Sequence, residues 1–345
     1  MTGIQMAQPS KTLVIAEIGV NHDGSAKIAT DLVRAAARCG ADAVKLQIFH
    51  ADRLMNESSQ FADYQKRSGI DASPIDMLRR YELNERDLRQ IVAEIIKAGM
   101  IPLATPFSPE DVQTIESLKL PAIKIASPDV VNWPLLKRAA KTGLLLLIST
   151  GAASISEITS SVAWLRGWGA TFHLLHCISS YPTPAESVHL GWIAELARRF
   201  HVPAGFSDHS TEAMTGALAV AAGAVIVEKH LTYDRNAAGP DHASSFDPDR
   251  FAEYVRLIRL AEKMRGNGEK RVLEIERDVR TVSRQSLVAT HDLPTGHIIG
   301  EGDLRVQRPG TGIPASALPS VIGLRVGQPI KAGQMLSWQL ISNAA

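Results

Sequence analysis

Short runs of β-branched and aliphatic residues alternate along the chain with longer segments in which apolar residues recur every three or four positions. A short apolar run bounded by turn residues predicts a buried strand, and the longer spacing predicts an amphipathic helix. One predicted helix follows each predicted strand, beginning with the helix 25–39. The strands are predicted at 13–17, 43–49, 101–105, 122–125, 144–149, 171–176, 204–209 and 224–230.

Eight such units within roughly 265 residues predict a (β/α)8 TIM barrel, a fold that typically takes about 250 residues. Since the chain has 345 residues, we expect the barrel at 1–265, a charged linker at 266–281 and a small β-rich domain at 282–345. A domain of about 60 residues is marginally stable alone, so we expect it to be stabilised by packing against another part of the protein or a partner. The polar segment 50–83 is expected to cover the substrate, because connections of this length are commonly functional.

Polar residues stand at the C-terminal end of every predicted strand. In a closed barrel these ends converge on one mouth, where barrel enzymes place their active sites. In an open sheet they would be spread along an edge and could not meet, so their convergence favours the barrel. The residues are Glu17, Lys45, Gln47, Thr105, Lys124, Ser149, His176, Ser207, His209, Glu228 and His230.

The last two strands each end in a histidine, His209 and His230. The alanine-rich segment 211–222 predicts the crossover helix between them, with Met214 and Leu218 among its apolar positions. A strand–helix–strand unit makes the strands parallel and adjacent, so both imidazoles should emerge at one edge. Two neutral imidazoles can bind one divalent metal, although each could instead be satisfied by a backbone partner. Since no third or fourth soft ligand is apparent, a hard divalent cation with several waters fits better than zinc. We expect Mn²⁺, with Mg²⁺ or Co²⁺ as alternatives.

Two lysines, Lys45 and Lys124, interrupt apolar strands. A buried ammonium group is costly unless it meets an anion, so two converging lysines predict a dianion such as phosphate. The alternative is a pair of buried salt bridges with Glu17 and Glu228. Hydroxyl groups that could join the anion site belong to Thr105, Ser149, Ser179 and Ser207.

Further polar side chains leave alternatives open. Asp241, like the two glutamates, would add acid–base capacity or support a metal. His176 is either an acid–base group or a packed strand-end residue. His22 and His242, each beside an aspartate, belong either to the site or to a solvated turn.

Composition excludes several classes of partner. The net charge of +1 gives no bulk attraction to nucleic acid or to an acidic membrane. The two cysteines have no motif spacing, so both are expected to be reduced thiols. The first ten residues lack the pattern of a signal peptide, and no apolar run is long enough to span a bilayer. We therefore expect a cytoplasmic protein.

Taken together, the strand-end motifs resemble the N-acetylneuraminate (sialic acid) synthase family. The resemblance implies a (β/α)8 barrel joined to an antifreeze-like (SAF) domain, in a domain-swapped homodimer whose small domain caps the partner's barrel. It also implies condensation of phosphoenolpyruvate with an N-acylated hexosamine of the mannose type. The matching stretches are 15–24 (IAEIGVNHDG), 40–47 (GADAVKLQ), 124–128 (KIASP), 149–151 (STG), 176–184 (HCISSYPTP), 206–210 (FSDHS), 228–230 (EKH), 239–242 (GPDH) and 308–313 (RPGTGI).

The resemblance also implies a role for each matching residue. Glu228 would assist acid–base steps, and Arg308 of the partner subunit would reach the acyl group of the sugar. The remaining roles are phosphate binding by Lys45, Thr105, Lys124, Ser149 and Ser207, metal binding by His209 and His230, and sugar binding by Glu17, Gln47 and Asp241.

Three functions are compatible with this sequence. The first is a nonulosonic acid synthase, most simply N-acetylneuraminate synthase, with legionaminic or pseudaminic acid synthase as the alternative. Sialic acid synthases often carry asparagine where this chain has Ser179, and relatives that make other nonulosonic acids carry serine. The second is a metal-dependent aldolase with a Schiff base on Lys45 or Lys124. The third is a non-catalytic sugar-binding protein, against which the intact lysines and histidines argue.

Overall fold

The computed structural model describes residues 11–56 and 73–342, which form two compact units with a boundary between Asn267 and Gly268. The first ten residues, examined above for a signal peptide, lie outside the described residues. So does 57–72, the middle of the predicted covering segment. The parts of that segment on either side form two helices, Ala51–Leu54 and Pro74–Tyr81.

The first unit is a closed barrel of eight parallel strands that neighbour one another in chain order, which confirms the predicted (β/α)8 fold. The strands are β1 (Leu13–Glu17), β2 (Ala43–Ile48), β3 (Ile101–Pro106), β4 (Ala122–Ile125), β5 (Leu145–Ser149), β6 (Phe172–Cys177), β7 (Ala204–Asp208) and β8 (Ile226–His230). The surrounding helices are Ala26–Arg38, Glu85–Lys97, Asp111–Ser117, Trp133–Ala140, Ile155–Gly167, Gly191–Phe200, Thr215–Ala221 and Pro248–Arg265.

Side chains on each strand alternate between the barrel interior and the surrounding helices, because a strand has a period of two. On β2, Val44 and Leu46 pack outward in the main core, whereas Ala43 belongs to an interior apolar layer at the lower end. That layer is a packed plug, so the interior becomes polar only towards the C-terminal ends of the strands. The layer contains Leu13, Ile15, Ala43, Leu103, Ala122, Leu147, Leu175 and Ile226.

The helix Thr215–Ala221 connects β7 to β8, as predicted for the segment 211–222. Among the apolar residues of that segment, Met214 and Leu218 are 58% and 49% exposed, whereas Val220 is buried. The buried face also carries small residues, among them Gly216. A Cβ on Gly216 would lie 2.5 Å from Cζ of Tyr254, so only a small residue allows the helices to approach this closely.

The second unit contains two small antiparallel sheets around its own apolar core. Strand β9 (Ser286–Ala289) pairs with β10 (Leu304–Gln307), and β11 (Arg325–Val326) pairs with β12 (Ile341–Ser342). Helices in this unit are Arg277–Ser283 and Leu318–Val321. Its core includes Leu287, Leu293, Ile299, Val321, Val326, Ile330 and Leu336. Within the described part of the chain, no helix is long and apolar enough to cross a membrane.

Candidate active site

A cavity of about 490 Å³ opens at the C-terminal mouth of the barrel. Ten of the predicted site residues line it. Glu17 lies directly beneath, Ser179 is exposed on the loop after β6, and Arg308 belongs to the second unit. The lining residues that had been predicted are Lys45, Gln47, Thr105, Lys124, Ser149, Ser207, His209, Glu228, His230 and Asp241.

The two buried lysines converge on one carboxylate at the floor of this cavity. Lys45 Nζ lies 2.5 Å from Oε2 of Glu17 and 3.3 Å from Oε1 of Glu228. Lys124 Nζ lies 3.8 Å from the same Glu228 oxygen. The structure therefore shows the salt-bridge alternative. Because Lys45 and Lys124 also line the cavity, an incoming dianion would meet the same two ammonium groups.

Hydroxyl groups complete the floor at the same level. Lys45 Nζ donates to Oγ1 of Thr105 over 3.1 Å, and Lys124 Nζ donates to Oγ of Ser149 over 2.6 Å. Ser207 Oγ donates to Glu228 Oε1 over 3.1 Å. These contacts bring together the five residues that the sequence nominated for phosphate binding.

Burial and charge oppose each other in this cluster. Burial lowers the pKa of Lys45 to about 8, although the Glu228 charge acts in the other direction. Burial would raise the pKa of Glu228, but the charges of Lys124 and Lys45 outweigh it and hold that pKa at about 2. Glu228 is consequently ionised at neutral pH, and Lys45 holds its proton less firmly than a surface lysine.

The two predicted metal-binding histidines do lie side by side, with ring centroids 5.5 Å apart. His209 Nδ1 donates to the carbonyl oxygen of Ile178 over 2.9 Å, which leaves Nε2 available as a ligand. His230 Nδ1 has no hydrogen-bond partner among the described residues and lies 3.6 Å from Oδ2 of Asp241. An orphaned imidazole nitrogen buried beside a carboxylate fits a cation-binding role.

The protonation states of these groups differ. Burial, followed by the charges of His209 and Lys45, lowers the pKa of His230 well below 6.5, so its imidazole is neutral at physiological pH. Burial also lowers the pKa of His209, but the neighbouring Cys177 sulfur outweighs it and the pKa ends above the usual value. Burial raises the pKa of Asp241 to about 6.

The two imidazoles fit a cation that keeps open coordination positions. Across 11–56 and 73–342 no group of three or more His, Cys, Asp or Glu residues is arranged to hold a metal. The remaining ligands would therefore come from water or substrate oxygens, as in catalytic rather than structural sites.

The strand alternation decides between the two alternatives for His176, in favour of a packed strand-end residue, and reveals another residue in the cavity. His176 points away from the mouth, with Nε2 donating to the carbonyl oxygen of Val188 and its ring stacked on Phe206. Cys177 lines the cavity instead, with Sγ 3.7 Å from His209 Nδ1. Because Leu175 faces the interior, a period of two could have identified Cys177 from the sequence.

His22 and His242 are both buried, so neither is a solvated turn residue, and neither lines the cavity. Asp23 Oδ1 lies 3.1 Å from Nε2 of His242, and its Oδ2 accepts from the Tyr233 hydroxyl over 2.6 Å. These bonds tie the loop after β1 to the loop after β8, which carries Asp241. We call this set, Asp23, Tyr233 and His242, the loop clasp.

One further part of the cavity lining is apolar and was not predicted. Phe49 and Phe107 meet edge to face there, with ring centroids 6.0 Å apart. The cavity therefore combines a charged floor with an apolar wall. The wall consists of Val20, Phe49, Leu54, Met55, Met77, Leu78 and Phe107.

Fold and site together define a (β/α)8-barrel protein whose mouth places two buried lysines and three hydroxyl groups beside two adjacent histidines. Residues 32–270 match the NeuB family, and residues 284–342 match the SAF domain. The chain therefore belongs to the NeuB family and ends in a SAF domain, which confirms the resemblance inferred from its motifs.

Individual relatives match over most of their length. The N,N'-diacetyllegionaminic acid synthase of Legionella pneumophila is 36% identical over 99% of this chain and 98% of its own. The N-acetylneuraminic acid (sialic acid) synthetase of Leptospira borgpetersenii, solved with citrate, is 31% identical over 78% and 90% of the two chains, with a TM-score of 0.71. A putative spore coat polysaccharide biosynthesis protein E of Chromobacterium violaceum is 26% identical over 96% and 100%, with a TM-score of 0.84.

Proposed function

We propose that this protein is a phosphoenolpyruvate-dependent nonulosonic acid synthase. It would join C3 of phosphoenolpyruvate to the aldehyde carbon of an N-acylated hexosamine, giving a nine-carbon 2-keto acid and phosphate. The observation that carries the proposal is the pair of buried lysines converging on Glu228 beside two adjacent imidazoles. The family membership of the chain supports the same class of reaction.

The phosphate of phosphoenolpyruvate would bind on the charged floor. Lys45 and Lys124 supply two charges, and Thr105, Ser149 and Ser207 supply hydroxyl donors within the same cluster. In the absence of substrate, the glutamates neutralise the ammonium groups and so limit the cost of burying them. The same ammonium groups would stabilise the charge that develops on the phosphate as it leaves.

A divalent cation would be held by His209 and His230, with Mn²⁺ favoured and Mg²⁺ or Co²⁺ as alternatives. The chemistry that such a cation supplies when bound is polarisation of a carbonyl oxygen. Gln47 and Asp241, which line the same cavity, would orient the sugar. Glu17, whose Oε1 accepts from the Gly19 amide over 2.5 Å, would support that side of the site.

The proposed reaction forms one carbon–carbon bond and breaks the bond between carbon and the bridging oxygen of phosphoenolpyruvate. C3 of phosphoenolpyruvate forms a bond to the aldehyde carbon, and the aldehyde oxygen becomes a hydroxyl group after gaining a proton. Water adds to the electron-poor C2 and loses a proton, for which the ionised Glu228 is a candidate acceptor. The bond between C2 and the bridging oxygen then breaks, the C2 hydroxyl passes its proton to the phosphate that leaves with that oxygen, and C2 becomes the ketone.

For the acceptor we propose a 2,4-diacetamido-trideoxy hexose of the legionaminic type, ahead of N-acetylmannosamine. The motifs alone placed N-acetylmannosamine first, but the apolar wall suits an acceptor with a C6 methyl and a second acetamido methyl. The diacetyllegionaminic acid synthase of Legionella also matches over nearly the whole chain. Serine rather than asparagine at Ser179 agrees with this choice.

Three expectations stay predictions. Two come from the resemblance, namely the domain-swapped homodimer and the contact of Arg308 of the partner subunit with the sugar acyl group. The third, the cytoplasmic location, comes from composition and the absence of targeting patterns.

The test is phosphate release from phosphoenolpyruvate with Mn²⁺, with and without EDTA. N-acetylmannosamine, 2,4-diacetamido-2,4,6-trideoxymannose and a stereoisomer of the pseudaminic type are offered in parallel. We expect EDTA-sensitive release with the trideoxymannose, and loss of release in Lys124→Met. Phosphoenolpyruvate labelled with ¹⁸O at the bridging position should yield labelled phosphate. Release with another sugar alone would reassign the acceptor, and release with none from folded, Mn²⁺-loaded protein would refute the synthase.

Borohydride separates the synthase from an aldolase. A Schiff base on Lys45 or Lys124 would be trapped covalently by borohydride in the presence of pyruvate. We expect no trapped adduct by mass spectrometry, because both ammonium groups lie within an ion-paired cluster.

A further inference from the structure

Two charged residues, Asp208 and Lys229, are completely buried outside the active-site cavity. They stand opposite each other in the pairing of β7 with β8, one residue before His209 and His230 respectively. Their side chains are 0% exposed and point away from the barrel interior, towards the helix Pro248–Arg265. Neither lines the cavity, so the proposed reaction does not use them directly.

The pair controls the backbone that follows His209. Asp208 Oδ1 accepts from the Ser210 amide over 2.7 Å, and Lys229 Nζ donates to the Ser210 carbonyl oxygen. Both backbone polar groups of Ser210, which belong to two successive peptide units, are therefore held by the pair. Asp208 Oδ1 and Lys229 Nζ lie 3.5 Å apart, which also links the two strand ends.

The surroundings make the pair rigid. The Tyr254 hydroxyl donates to Asp208 Oδ2 over 2.8 Å, and Lys229 Nζ lies 4.2 Å from the centroid of the Phe246 ring. Phe246 also donates its amide to the carbonyl oxygen of His230 over 2.9 Å. The network thus fixes the backbone at Ser210, next to His209, and at His230 itself.

Stability alone does not account for this arrangement. A buried ion pair is expensive to desolvate, and apolar side chains of similar volume commonly replace one without loss of stability. Apolar side chains cannot hold an amide and a carbonyl group in fixed directions, whereas a carboxylate and an ammonium group can. The feature that distinguishes this site from other parts of the barrel wall is the histidine that follows each charged residue.

We propose that Asp208 and Lys229 are positioning residues that set the spacing and orientation of the His209 and His230 imidazoles, and so preorganise them for a divalent cation. This inference rests on the proposed cation site. Cation affinity should then depend on two residues that never touch the cation, much as outer-shell partners tune other metal sites.

The experiment measures Mn²⁺ binding to the full chain without substrates, from the electron paramagnetic resonance signal of free Mn²⁺. The test variant is Asp208→Asn/Lys229→Met, in which no buried charge is left unpaired. We expect its dissociation constant for Mn²⁺ to rise at least tenfold, while its affinity for inorganic phosphate stays within twofold. Tyr254→Phe, which loses only the hydrogen bond to Asp208, should raise the constant two- to threefold.

Leu165→Ala is the stability control, since Leu165 is buried in the outer core on the helix Ile155–Gly167. It should lower the melting temperature and leave Mn²⁺ affinity unchanged. Unchanged Mn²⁺ affinity in the folded double variant, or an equal loss of Mn²⁺ affinity in Leu165→Ala, overturns this inference but leaves the proposed cation site intact. If the double variant does not fold, unchanged affinity in Tyr254→Phe overturns it. Wild-type protein that binds no Mn²⁺ overturns the proposed cation site as well.

Discussion

Replacing Glu228 with glutamine tests the charged floor most directly. The substitution keeps the shape of the side chain and removes the one carboxylate that faces both Lys45 and Lys124. Without ligands the variant should be less stable, because Lys124 would lose its salt bridge to Glu228 and Lys45 would keep the one to Glu17. Binding of phosphate should become more stabilising for the same reason.

The magnitude follows from the pKa of Glu228, which is about 2 in the folded protein against an ordinary value of 4.5. A pKa depressed by folding stabilises the folded state above the ordinary value, and this contribution is lost as the pH falls through the folded value. Each unit of pKa shift corresponds to about 1.4 kcal/mol, so the ionised carboxylate contributes about 3 kcal/mol to the free energy of unfolding at pH 7. That figure already includes the cost of burial, so the glutamine variant should lose about this amount.

The assay is urea unfolding at pH 7 of wild type, Glu228→Gln and the control Glu195→Gln. Glu195 pairs with Arg198 and Arg199 on the surface, where an exposed ion pair contributes about 0–1 kcal/mol. We expect a large loss for Glu228→Gln and little change for the control. Added inorganic phosphate should raise the unfolding midpoint of Glu228→Gln more than that of wild type.

Equal stability of Glu228→Gln and Glu195→Gln would refute the reasoning, since the lysines would then not depend on the carboxylate. A smaller phosphate effect in Glu228→Gln than in wild type would refute the anion site itself.

Three further predictions concern the rest of the mouth. Burial raises the pKa of Asp241 to about 6, so the stability that its protonated form gives the folded protein is lost as the pH rises through that value. In EDTA at pH 8, Asp241→Asn should therefore be more stable than wild type by about 3 kcal/mol. Thermal melts should show this difference shrinking towards pH 4. Asp23→Ala removes both hydrogen bonds of the loop clasp, so it should lower the free energy of unfolding by about 1–3 kcal/mol and speed hydrogen exchange at 231–246. Tyr233→Phe removes one of these bonds and should have the smaller effect. In a Cys39→Ser background, methyl methanethiosulfonate should modify Cys177, which lines the cavity. Bound phosphate should slow this reaction because it would occupy the same cavity as the reagent. An unchanged labelling rate with phosphate present would contradict this placement.

The local pattern of the sequence was enough to predict the barrel and most of its mouth. A period of two along each strand, followed by one helix, leaves few alternatives to a closed parallel barrel once eight units occur. The same period carries Lys45, Lys124, His209 and His230 to the interior at the C-terminal ends. The same period also brings Cys177 into the cavity and puts His176 on the opposite face of the strand.

Only the tertiary structure decided which polar groups pair and which faces are buried. Lys45 and Lys124 share Glu228, a residue from a distant strand, and nothing local specifies that choice over separate ion pairs. The helix Thr215–Ala221 buries its small residues because the tyrosine ring of another helix lies against it. The sequence determines strands and helices through backbone periodicity, which acts between near neighbours. Packing and charge pairing act between residues far apart in the chain, and they exist only after the barrel has closed.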